Sequence, residues 1–406
     1  MIPRTLEPQI LHVLTQWHKM VLLSGPRQVG KTTLAQDVRK KYSQSLSVNW
    51  DNIEDQRKIA KEPYFFKKDL PPPGEKCLLI FDEIHKYSRW KNYLKGAFDT
   101  YHADFDFLIT GSGRLDLFKR GGDSLLGRYF SLKLFPLTVG EILGQMPKPD
   151  EWLNRCADLP PTTPEAQSAY EQLWRFGGFP DPFVRAEESF YRLWHNERKQ
   201  VILRDDIRQI AQVRELSQLE ILSHLLPERA AGLLSVNSLK QEVGVAFETV
   251  RDWLNLLEHV YYSFRLFPFA GKIHRSLKKE AKIYLYDWAE LENEGNRFEN
   301  LIALHLLKAV STWNLRGEGS FHLHYLRDKE KREVDFVLVR DKKPVMLVEA
   351  KFSDVNLASS LLYYQEKLNV PLAVQLVHQP GILQRRRENT KYQWIASAAH
   401  WLASLH

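Results

Sequence analysis

The sequence predicts an α/β protein that begins with a parallel sheet, and three observations support this fold class. Residues 25–32 complete a G-x-x-x-x-G-K-[ST] loop between an apolar strand-like run and a helix-forming run. Residues 77–81 are continuously apolar, as in a buried parallel strand, and two acids follow them. Farther along, strand patterns at 333–339 and 345–351 carry acids and a lysine. The chain therefore has two places where charged side chains meet a sheet.

The glycine-containing loop is a candidate phosphate-binding site. Strand-like residues 20–23 precede it, and helix-forming residues 33–39 follow it. Its glycines allow backbone N–H groups to surround a phosphate, and the next helix presents the positive end of its dipole. The predicted nucleotide-binding residues are Gly25, Pro26, Arg27, Gln28, Val29, Gly30, Lys31, Thr32 and Thr33. In this pattern Lys31 reaches the β- and γ-phosphates, and the Thr32 hydroxyl holds Mg²⁺.

The two acids after the second strand-like run predict hydrolysis of the nucleotide. Asp82 is the candidate metal acid, acting through water, and Glu83 is the candidate general base. The alternative is a pair of acids that only caps a strand. A third strand at 105–110 leads to Ser112, which we expect to sense the γ-phosphate or position water, with Thr110 as the alternative.

Arg128 is a candidate arginine finger. A helical stretch that begins at 114–119 runs out at Gly127-Arg128, just before the strand-like residues 129–134. An arginine there projects from the subunit edge toward a neighbour's γ-phosphate and stabilises the charge that develops during transfer. This interpretation predicts a homo-oligomer, and the alternative is an ordinary surface arginine.

Residues 1–145 resemble the AAA+ ATPase core of a large, mostly uncharacterised prokaryotic family. The resemblance rests on residues 25–33, Phe81-Asp82-Glu83-Ile84-His85-Lys86, Ile109-Thr110-Gly111-Ser112, and Gly127-Arg128 followed by Leu134-Phe135-Pro136-Leu137. It implies a C-terminal domain that includes a nuclease-like module. The predicted domains are the AAA+-like core at 1–145, a helical lid or linker at 146–234, a winged helix at 235–286 and a nuclease-like domain at 287–406.

Composition is compatible with a multidomain globular protein. The 406 residues predict two to four domains, and 44% hydrophobic and 26% charged residues are globular values. A net charge of +7 is compatible with a nucleic-acid partner without requiring one. Only Cys77 and Cys156 are present, and Cys77 lies in a predicted buried strand, so we expect no disulfide. No apolar run reaches the length of a membrane span, and we expect a cytoplasmic protein.

The middle of the chain is predicted to be helical and to cover the nucleotide. Residues 165–230 have helical patterns with a break at Gly177-Gly178-Phe179-Pro180. A lid arginine that touches the nucleotide is plausible here. The pattern does not choose between Arg175, Arg185 and Arg204.

Residues 235–286 have the pattern of a winged helix-turn-helix. Asn237 is predicted to cap a short helix that ends at Gly244, with Leu239 and Val243 facing inward. The second helix places Phe247, Val250, Leu254, Leu257 and Val260 on one face. Strand-like runs follow at 261–269 and 282–286, and the turn between them carries Lys272, Arg275, Lys278, Lys279 and Lys282. We expect this turn to contact the DNA backbone, and the alternative is interdomain packing with solvated lysines.

A second possible active site lies between residues 296 and 377. A helix at 296–310 presents Glu299, and the hairpin 333–351 places Asp335 beside Glu349 and Lys351 on one sheet face. Two carboxylates there can hold Mg²⁺ or Mn²⁺, and the lysine can orient water or stabilise a transition state. A helix at 355–368 and a strand at 372–377 complete an α-β-β-β-α-β order.

This region resembles the PD-(D/E)xK nuclease fold. Asp335, Glu349 and Lys351 match its core motif, and Glu299 matches the helix acid often found with it. Val334 stands where the motif has proline. The alternative is a surface Glu-x-Lys pair worth little energy. The arginines at 385–387 form a small basic patch that can touch DNA or be solvated.

Together these interpretations predict a Mg²⁺-dependent ATPase that couples hydrolysis to binding, remodelling or cleavage of DNA. The alternative is a nucleotide-switched scaffold for DNA or protein whose nuclease-like domain is inactive. Remodelling of protein partners is a third interpretation.

Overall fold

The structure is a computed structural model, and it describes residues 2–113, 125–145, 149–150, 163–210, 213, 215–270 and 280–405. The predicted helical stretch at 114–119 and the lysines and arginine at 272, 275, 278 and 279 lie outside the described residues. Among the described residues, no helix has the length and apolar character needed to cross a membrane.

A five-stranded parallel sheet forms the N-terminal region, as predicted. Its strands are β1 (Met20–Ser24), β2 (Ser45–Asn49), β3 (Cys77–Asp82), β4 (Phe105–Gly111) and β5 (Tyr129–Lys133), in the order β2-β3-β4-β1-β5. The helices are α1 (Glu7–Thr15), α2 (Lys31–Arg39), α3 (Ile53–Lys61), α4 (Trp90–Tyr101) and α5 (Val139–Ile142). Strands β1 and β4 are buried along their whole length, which explains their unbroken apolar sequences.

The strand order positions the first site. Strand β4 lies between β1 and β3, so the segments that follow these three strands meet at one edge of the sheet. Ligands of open α/β sheets bind at the carboxyl ends of the strands. The phosphate-binding loop follows β1, the two acids lie at the end of β3, and Ser112 follows β4.

The middle region is helical, as predicted. It contains α6 (Pro164–Phe176), α7 (Pro180–Arg185), α8 (Glu188–Val201), α9 (Ile207–Ile210), α10 (Leu216–Arg229), α11 (Val236–Val243) and α12 (Phe247–His259). A π-helical turn, Ile202–Asp206, follows α8 directly. Strands β6 (Ser263–Leu266) and β7 (Lys282–Leu285) form a separate antiparallel pair.

Four local predictions for the helix pair and hairpin are wrong. The cap of α11 is Ser235, whose side chain accepts from the Ser238 N–H, and not Asn237. Phe247 begins α12 but is 39% exposed, while the unpredicted Trp253 is buried. Lys282 is only 2% exposed and lies within β7, so it does not belong to the basic turn that was expected to contact DNA. The predicted strand 261–269 is also shorter, Ser263–Leu266.

The C-terminal region contains a six-stranded mixed sheet. Its elements are α13 (Glu294–Leu315), β8 (Phe321–Arg327), β9 (Glu333–Arg340), β10 (Lys343–Lys351), α14 (Ser359–Leu368), β11 (Leu372–Val377), β12 (Leu383–Glu388), β13 (Lys391–Ser397) and α15 (Ala398–Ala403). The strand order is β12-β13-β11-β10-β9-β8. The chain order from α13 to β11 is the predicted one, although α13 is longer than expected and α14 begins four residues later.

A shared core joins the N- and C-terminal regions. Helix α13 is buried along most of its length, and its apolar residues belong to the same cluster as those of α1, α2, α6 and the C-terminal sheet. Separate clusters cover the other face of the N-terminal sheet, the middle helices and the outer face of the C-terminal sheet. The two sequence-predicted sites are therefore carried by regions that pack directly against one another.

Candidate nucleotide-binding site and a second acidic cluster

The loop between β1 and α2 requires its two glycines. Gly25 has φ +154°, and a Cβ there would lie 2.4 Å from the Leu134 carbonyl oxygen. Gly30 has φ +96° and is the N-cap of α2, so a side chain there would be strained. The loop thus brings the N-terminal end of a helix to the sheet edge, where its N–H groups and dipole favour an anion.

Lys31 points back along the loop. Its Nζ donates to the carbonyl oxygens of Gly25 at 3.0 Å and Pro26 at 2.8 Å. Burial lowers the pKa of Lys31 to about 8, against the opposing effect of the Glu83 and Asp82 carboxylates. An anionic phosphate at this place would favour the charged ammonium. Lys31 is therefore positioned as the phosphate-binding lysine of the loop.

Oxygen ligands suited to Mg²⁺ meet beside Lys31. The Thr32 hydroxyl donates to Asp82 Oδ2 at 3.3 Å, and the Thr110 hydroxyl donates to Asp82 Oδ1. Hydroxyl and carboxylate oxygens are the donors that Mg²⁺ prefers, and one or two protein ligands plus phosphates are its usual complement. These residues fit a Mg²⁺ ion bound together with a nucleotide.

Glu83 lies at the same edge in a strained conformation. Its φ of +53° is in the left-handed region, which is uncommon for a residue with a side chain. Its Oε2 is 3.5 Å from the Ser112 Oγ, 3.6 Å from His85 Nε2 and 3.5 Å from Lys86 Nζ. His85 and Lys86 were not predicted as neighbours of this acid, although they follow it by two and three residues in the chain.

A cavity of about 410 Å³ collects these residues. It is lined by Arg27, Gln28, Gly30, Lys31, Thr32, Thr33, Asn49, Asp51, Asp82, Glu83, Ser112, Pro180 and Asp181. Asn49 and Asp51 were not predicted, although they lie at and just after the carboxyl end of β2, and ligands of open α/β sheets bind at the carboxyl ends of strands. Pro180, the last residue of the predicted break, and Asp181 begin α7, so the middle region closes one side of the cavity.

The middle region also contacts the loop through an ion pair. Arg27 Nη1 lies 2.5 Å from Oδ1 of Asp206, which is buried in the π-helical turn. Of the three lid arginines considered above, Arg185 contacts a cavity residue, because its Nε donates to Asp181 at 3.1 Å. Arg175 pairs with Glu188 and Arg204 with Glu220.

Arg4 supports the loop from behind and was not predicted. Its Nη1 donates to the Val29 carbonyl oxygen at 2.8 Å, its Nη2 donates to the Phe135 carbonyl oxygen, and its Nε lies 3.1 Å from Glu141 Oε1. Glu141 also accepts from Lys308 of α13. All three charged side chains are buried. A continuous polar chain therefore joins the loop to the C-terminal region.

Arg128 lies near the start of the edge strand β5. Its Nε and Nη2 donate to the two oxygens of Asp99, at 2.6 and 2.9 Å. Both side chains are partly exposed. This bidentate pair holds the guanidinium at the rim of the sheet, outside the residues that line the cavity of its own chain.

The second predicted site is also brought together. Asp335 Oδ2 accepts from the Ala350 N–H at 2.9 Å, and Glu349 Oε1 lies 2.8 Å from Lys351 Nζ. Burial, with the nearby charge of Asp335, raises the pKa of Glu349 to about 7 and that of Glu299 to about 8. Asp335, Glu349 and Glu299 thus form one acidic cluster between α13 and the β9–β10 hairpin.

Lys282 enters this cluster from β7. Its Nζ lies 3.0 Å from Glu299 Oε1, 3.1 Å from Asp335 Oδ1 and 2.6 Å from Glu333 Oε1. Within the described part of the chain, no group of three or more His, Cys, Asp or Glu residues is arranged to hold a metal ion. The residues present do not fit a resident divalent metal, because ammonium groups already contact all three predicted ligands: Lys282 contacts Glu299 and Asp335, and Lys351 contacts Glu349.

Comparison with known protein families supports the class of protein that the first site indicates for the N-terminal region. Residues 17–143 match a family described as AAA domain, whereas residues 167–291 and 294–398 match two domains of unknown function, DUF8612 and DUF4143. The AAA domain match supports an AAA+ ATPase core, with ATP and Mg²⁺ as its implied ligands. With the loop and the acids of β3, this defines the class of the N-terminal region.

Two relatives extend over most of the chain. An uncharacterized protein of Haemophilus influenzae is 25% identical over 314 residues, which are 71% of this chain and 74% of the relative. The protein Rv2008c of Mycobacterium tuberculosis is 24% identical over 384 residues, 89% of this chain and 80% of the relative.

Likeness to solved structures is weak. The ORC1 protein of Aeropyrum pernix, solved in complex with DNA, covers 74% of this chain and 93% of its own at 13% identity and a TM-score of 0.33. The Walker-type ATPase PABY2304 of Pyrococcus abyssi covers 71% and 94% at 15% identity and a TM-score of 0.42.

Proposed function

We propose that this protein is a Mg²⁺-dependent ATPase whose reaction takes place in the cavity at the edge of the N-terminal sheet. One observation supports this above the others: Lys31, Thr32, Asp82, Glu83 and Ser112, which come from three separate segments, line the same cavity. These are the residue types that phosphoryl transfer to water needs.

Each residue has a role that follows from its position. Lys31 and the N–H groups of the loop bind the phosphates. Thr32 and Asp82 would hold Mg²⁺, which when bound neutralises charge on the phosphate oxygens. Glu83 takes the proton from the attacking water, and Ser112 orients that water or the terminal phosphate.

Replacement of Glu83 by glutamine tests this proposal. Glu83→Gln keeps the shape of the side chain but removes the base, so we expect turnover to fall by about 10²- to 10⁴-fold while ATP still binds. Phosphate release and titration with a fluorescent ATP analogue measure the two effects. Glu54→Gln, on the exposed start of α3, is the matched control. Native turnover in Glu83→Gln would contradict the assignment.

The arginine finger role of Arg128 in a homo-oligomer is part of the proposal. Its partly exposed position at the sheet rim, outside its own cavity lining, supports action on a neighbouring subunit. Arg128→Ala should lower turnover by about 10³- to 10⁵-fold with ATP affinity retained. Mixing Arg128→Ala with Glu83→Gln chains should restore activity, since some interfaces then combine an intact base with an intact finger. Absence of any restoration would place Arg128 in its own subunit.

We further propose that ATP turnover is coupled to DNA binding. The net charge of +7, the order α11-α12-β6-β7 and the exposed arginines 385–387 on the edge strand β12 support this. Replacing the three arginines with glutamine should weaken DNA binding and reduce its salt dependence, because fewer counterions are released. Glutamine at the exposed Lys342, in the β9–β10 turn, and at the exposed Lys343, at the start of β10, is the control. If the DNA affinities of the native chain and of the arginine variant depend equally on salt concentration, β12 is not part of the DNA interface.

For the C-terminal region we propose a PD-(D/E)xK-like arrangement that binds a partner without cutting DNA. The element order α13-β8-β9-β10-α14-β11 and the grouping of Asp335, Glu349 and Lys351 support the arrangement. The ammonium of Lys282 among the carboxylates favours the non-cutting alternative over cleavage.

Incubation with branched and linear DNA tests this choice. The native chain and Glu349→Ala are compared with Mg²⁺ or Mn²⁺, with and without ATP, and we expect no cleavage by either. Cleavage that is lost in Glu349→Ala would establish a nuclease instead. ATP turnover, measured in the same samples, shows that the first site is intact.

A further inference from the structure

The acidic cluster of the C-terminal region contains a cation supplied by another part of the chain. Its carboxylates come from Glu299 on α13, Glu333 and Asp335 on β9, and Glu349 on β10. Lys282 belongs to β7, which pairs with β6 outside the C-terminal sheet. The contact therefore joins two regions that are separate in the sheet topology.

The contacts of Lys282 satisfy its ammonium completely. A lysine ammonium has three N–H donors and no acceptor. Three carboxylates surround Nζ, at 2.6 Å for Glu333, 3.0 Å for Glu299 and 3.1 Å for Asp335, and the side chain is 2% exposed. A surface lysine that pairs by chance has neither this burial nor this number of partners.

Neighbouring side chains hold the cluster in place around the ammonium. The Tyr284 hydroxyl, also on β7, donates to Glu299 Oε1 at 2.7 Å. Lys351 pairs with Glu349, and Arg327 pairs with Glu333. The charges of the four carboxylates are thus largely balanced by cations from the chain itself.

A divalent metal would compete for the same oxygens. Asp335 and Glu299, which a metal would need, are within 3.1 Å of Nζ. A metal there would lie beside the ammonium, and the repulsion between the two cations is strong in a buried site. Binding of the metal and the position of Lys282 are therefore mutually exclusive.

We propose that the Lys282 ammonium is the resident cation of this cluster, and that it locks β7 to the C-terminal region. A divalent metal enters only when Lys282 is withdrawn. The metal state of the C-terminal region is thus controlled by the hairpin that precedes it. This inference concerns only the C-terminal cluster and stands whether or not the N-terminal site hydrolyses ATP.

Mn²⁺ binding to the full-length chain without nucleotide tests the proposal. Calorimetric titration compares the parent chain with chains that carry Asp335→Asn, Lys282→Met or the control Lys343→Met, which changes an exposed lysine. Every chain also carries Asp82→Asn, so that the first site contributes no metal binding. We expect Mn²⁺ binding by the Lys282→Met chain alone, and its melting temperature to be low in EDTA and raised by Mn²⁺.

Two results would overturn the proposal. One is Mn²⁺ binding by the chain with Lys282 in place that is lost in Asp335→Asn. The other is a folded Lys282→Met chain that gains no Mn²⁺ binding. If Lys282→Met does not fold, the parent chain is compared with the Asp335→Asn chain. Absence of Mn²⁺ binding in both chains supports the proposal that Lys282 excludes the metal. Mn²⁺ binding that depends on Asp335 refutes it.

Discussion

Replacement of Arg4 by methionine should weaken both the phosphate-binding loop and the packing of the C-terminal region. Methionine keeps much of the aliphatic volume but removes every donor. Three acceptors lose a partner, namely the carbonyl oxygens of Val29 and Phe135 and the carboxylate of Glu141. Arg4 is 8% exposed, so water cannot easily replace these hydrogen bonds.

The magnitude follows from the burial of the ion pairs. Removing one partner of a buried pair costs about 3–5 kcal/mol, because the other charge stays buried without compensation. Glu141 keeps its contact with Lys308, which favours the lower end of this range. The carbonyl groups of Val29 and Phe135 also lose a hydrogen bond, which costs further stability. The separate costs cannot simply be summed, because all three acceptors share one donor group. We expect a loss of about 3–5 kcal/mol.

Hydrogen exchange measures this loss where it occurs. A protein with several domains need not unfold in one step, so a local probe is more informative than one melting temperature. Some amides of α2 and α5 exchange only when the contacts of Arg4 are broken. Because 1.36 kcal/mol corresponds to a factor of ten, a loss of about 3–5 kcal/mol should make these amides exchange about a hundred to several thousand times faster. ATP affinity should fall as well, because Val29 lies within the loop.

Arg175→Met is the matched control. Arg175 pairs with Glu188, and both side chains are 59% exposed, so this change should cost about 0–1 kcal/mol. Arg4→Lys should be intermediate, because a single ammonium cannot reproduce the fork of donors of a guanidinium. Equal exchange rates and equal ATP affinities in Arg4→Met and Arg175→Met would refute the supporting role of Arg4.

Two further predictions concern the loop glycine and a partly buried histidine. Gly25→Ala should abolish ATP binding in a titration, because its Cβ would meet the Leu134 carbonyl at 2.4 Å, whereas Gly74→Ala, at φ +87° with open space around the Cβ, should bind normally. His195 is partly buried, which by itself lowers its pKa, but the hydrogen bond to Asp287 and the charge of Glu290 outweigh this desolvation and raise the pKa above its usual value. Its charged form therefore stabilises the fold below about pH 6.5, and this contribution is lost as pH rises through the higher folded pKa. The free energy of unfolding, measured in urea, should fall as pH rises through this range in the native chain, and should fall less in His195→Gln. An equal pH dependence in the two chains would contradict the stabilising role of charged His195.

Local patterns predicted the elements of the first site correctly. The sequence of β1, the loop and α2 contains a buried strand, two glycines and a helix in direct succession, and each depends on neighbouring residues alone. The same holds for β3 and the acids Asp82 and Glu83. Burial on both faces of a parallel sheet leaves an unbroken apolar run, which is why these strands were recognisable.

Predictions failed where a residue's environment comes from distant parts of the chain. Lys282 follows a basic stretch in sequence, which suggested a turn that contacts the DNA backbone, but three carboxylates from α13 and β9 surround it. Ser235 caps α11 in place of Asn237, because both are good caps and the start of the helix depends on its packing. Arg4 had no motif around it, since its partners are up to 137 residues away.

The sequence by itself determined the chemistry that the N-terminal region can perform, because the phosphate-binding loop is a continuous segment whose backbone and side chains act together. It also brought two acids of the C-terminal cluster together, Asp335 and Glu349, since period-2 alternation in a hairpin places them on one face. Only the tertiary structure decided what those acids contact. Electrostatic partners are chosen by proximity in space and by exclusion of water, and neither the ammonium of Lys282 nor the guanidinium of Arg4 has a local signal that reveals its partner.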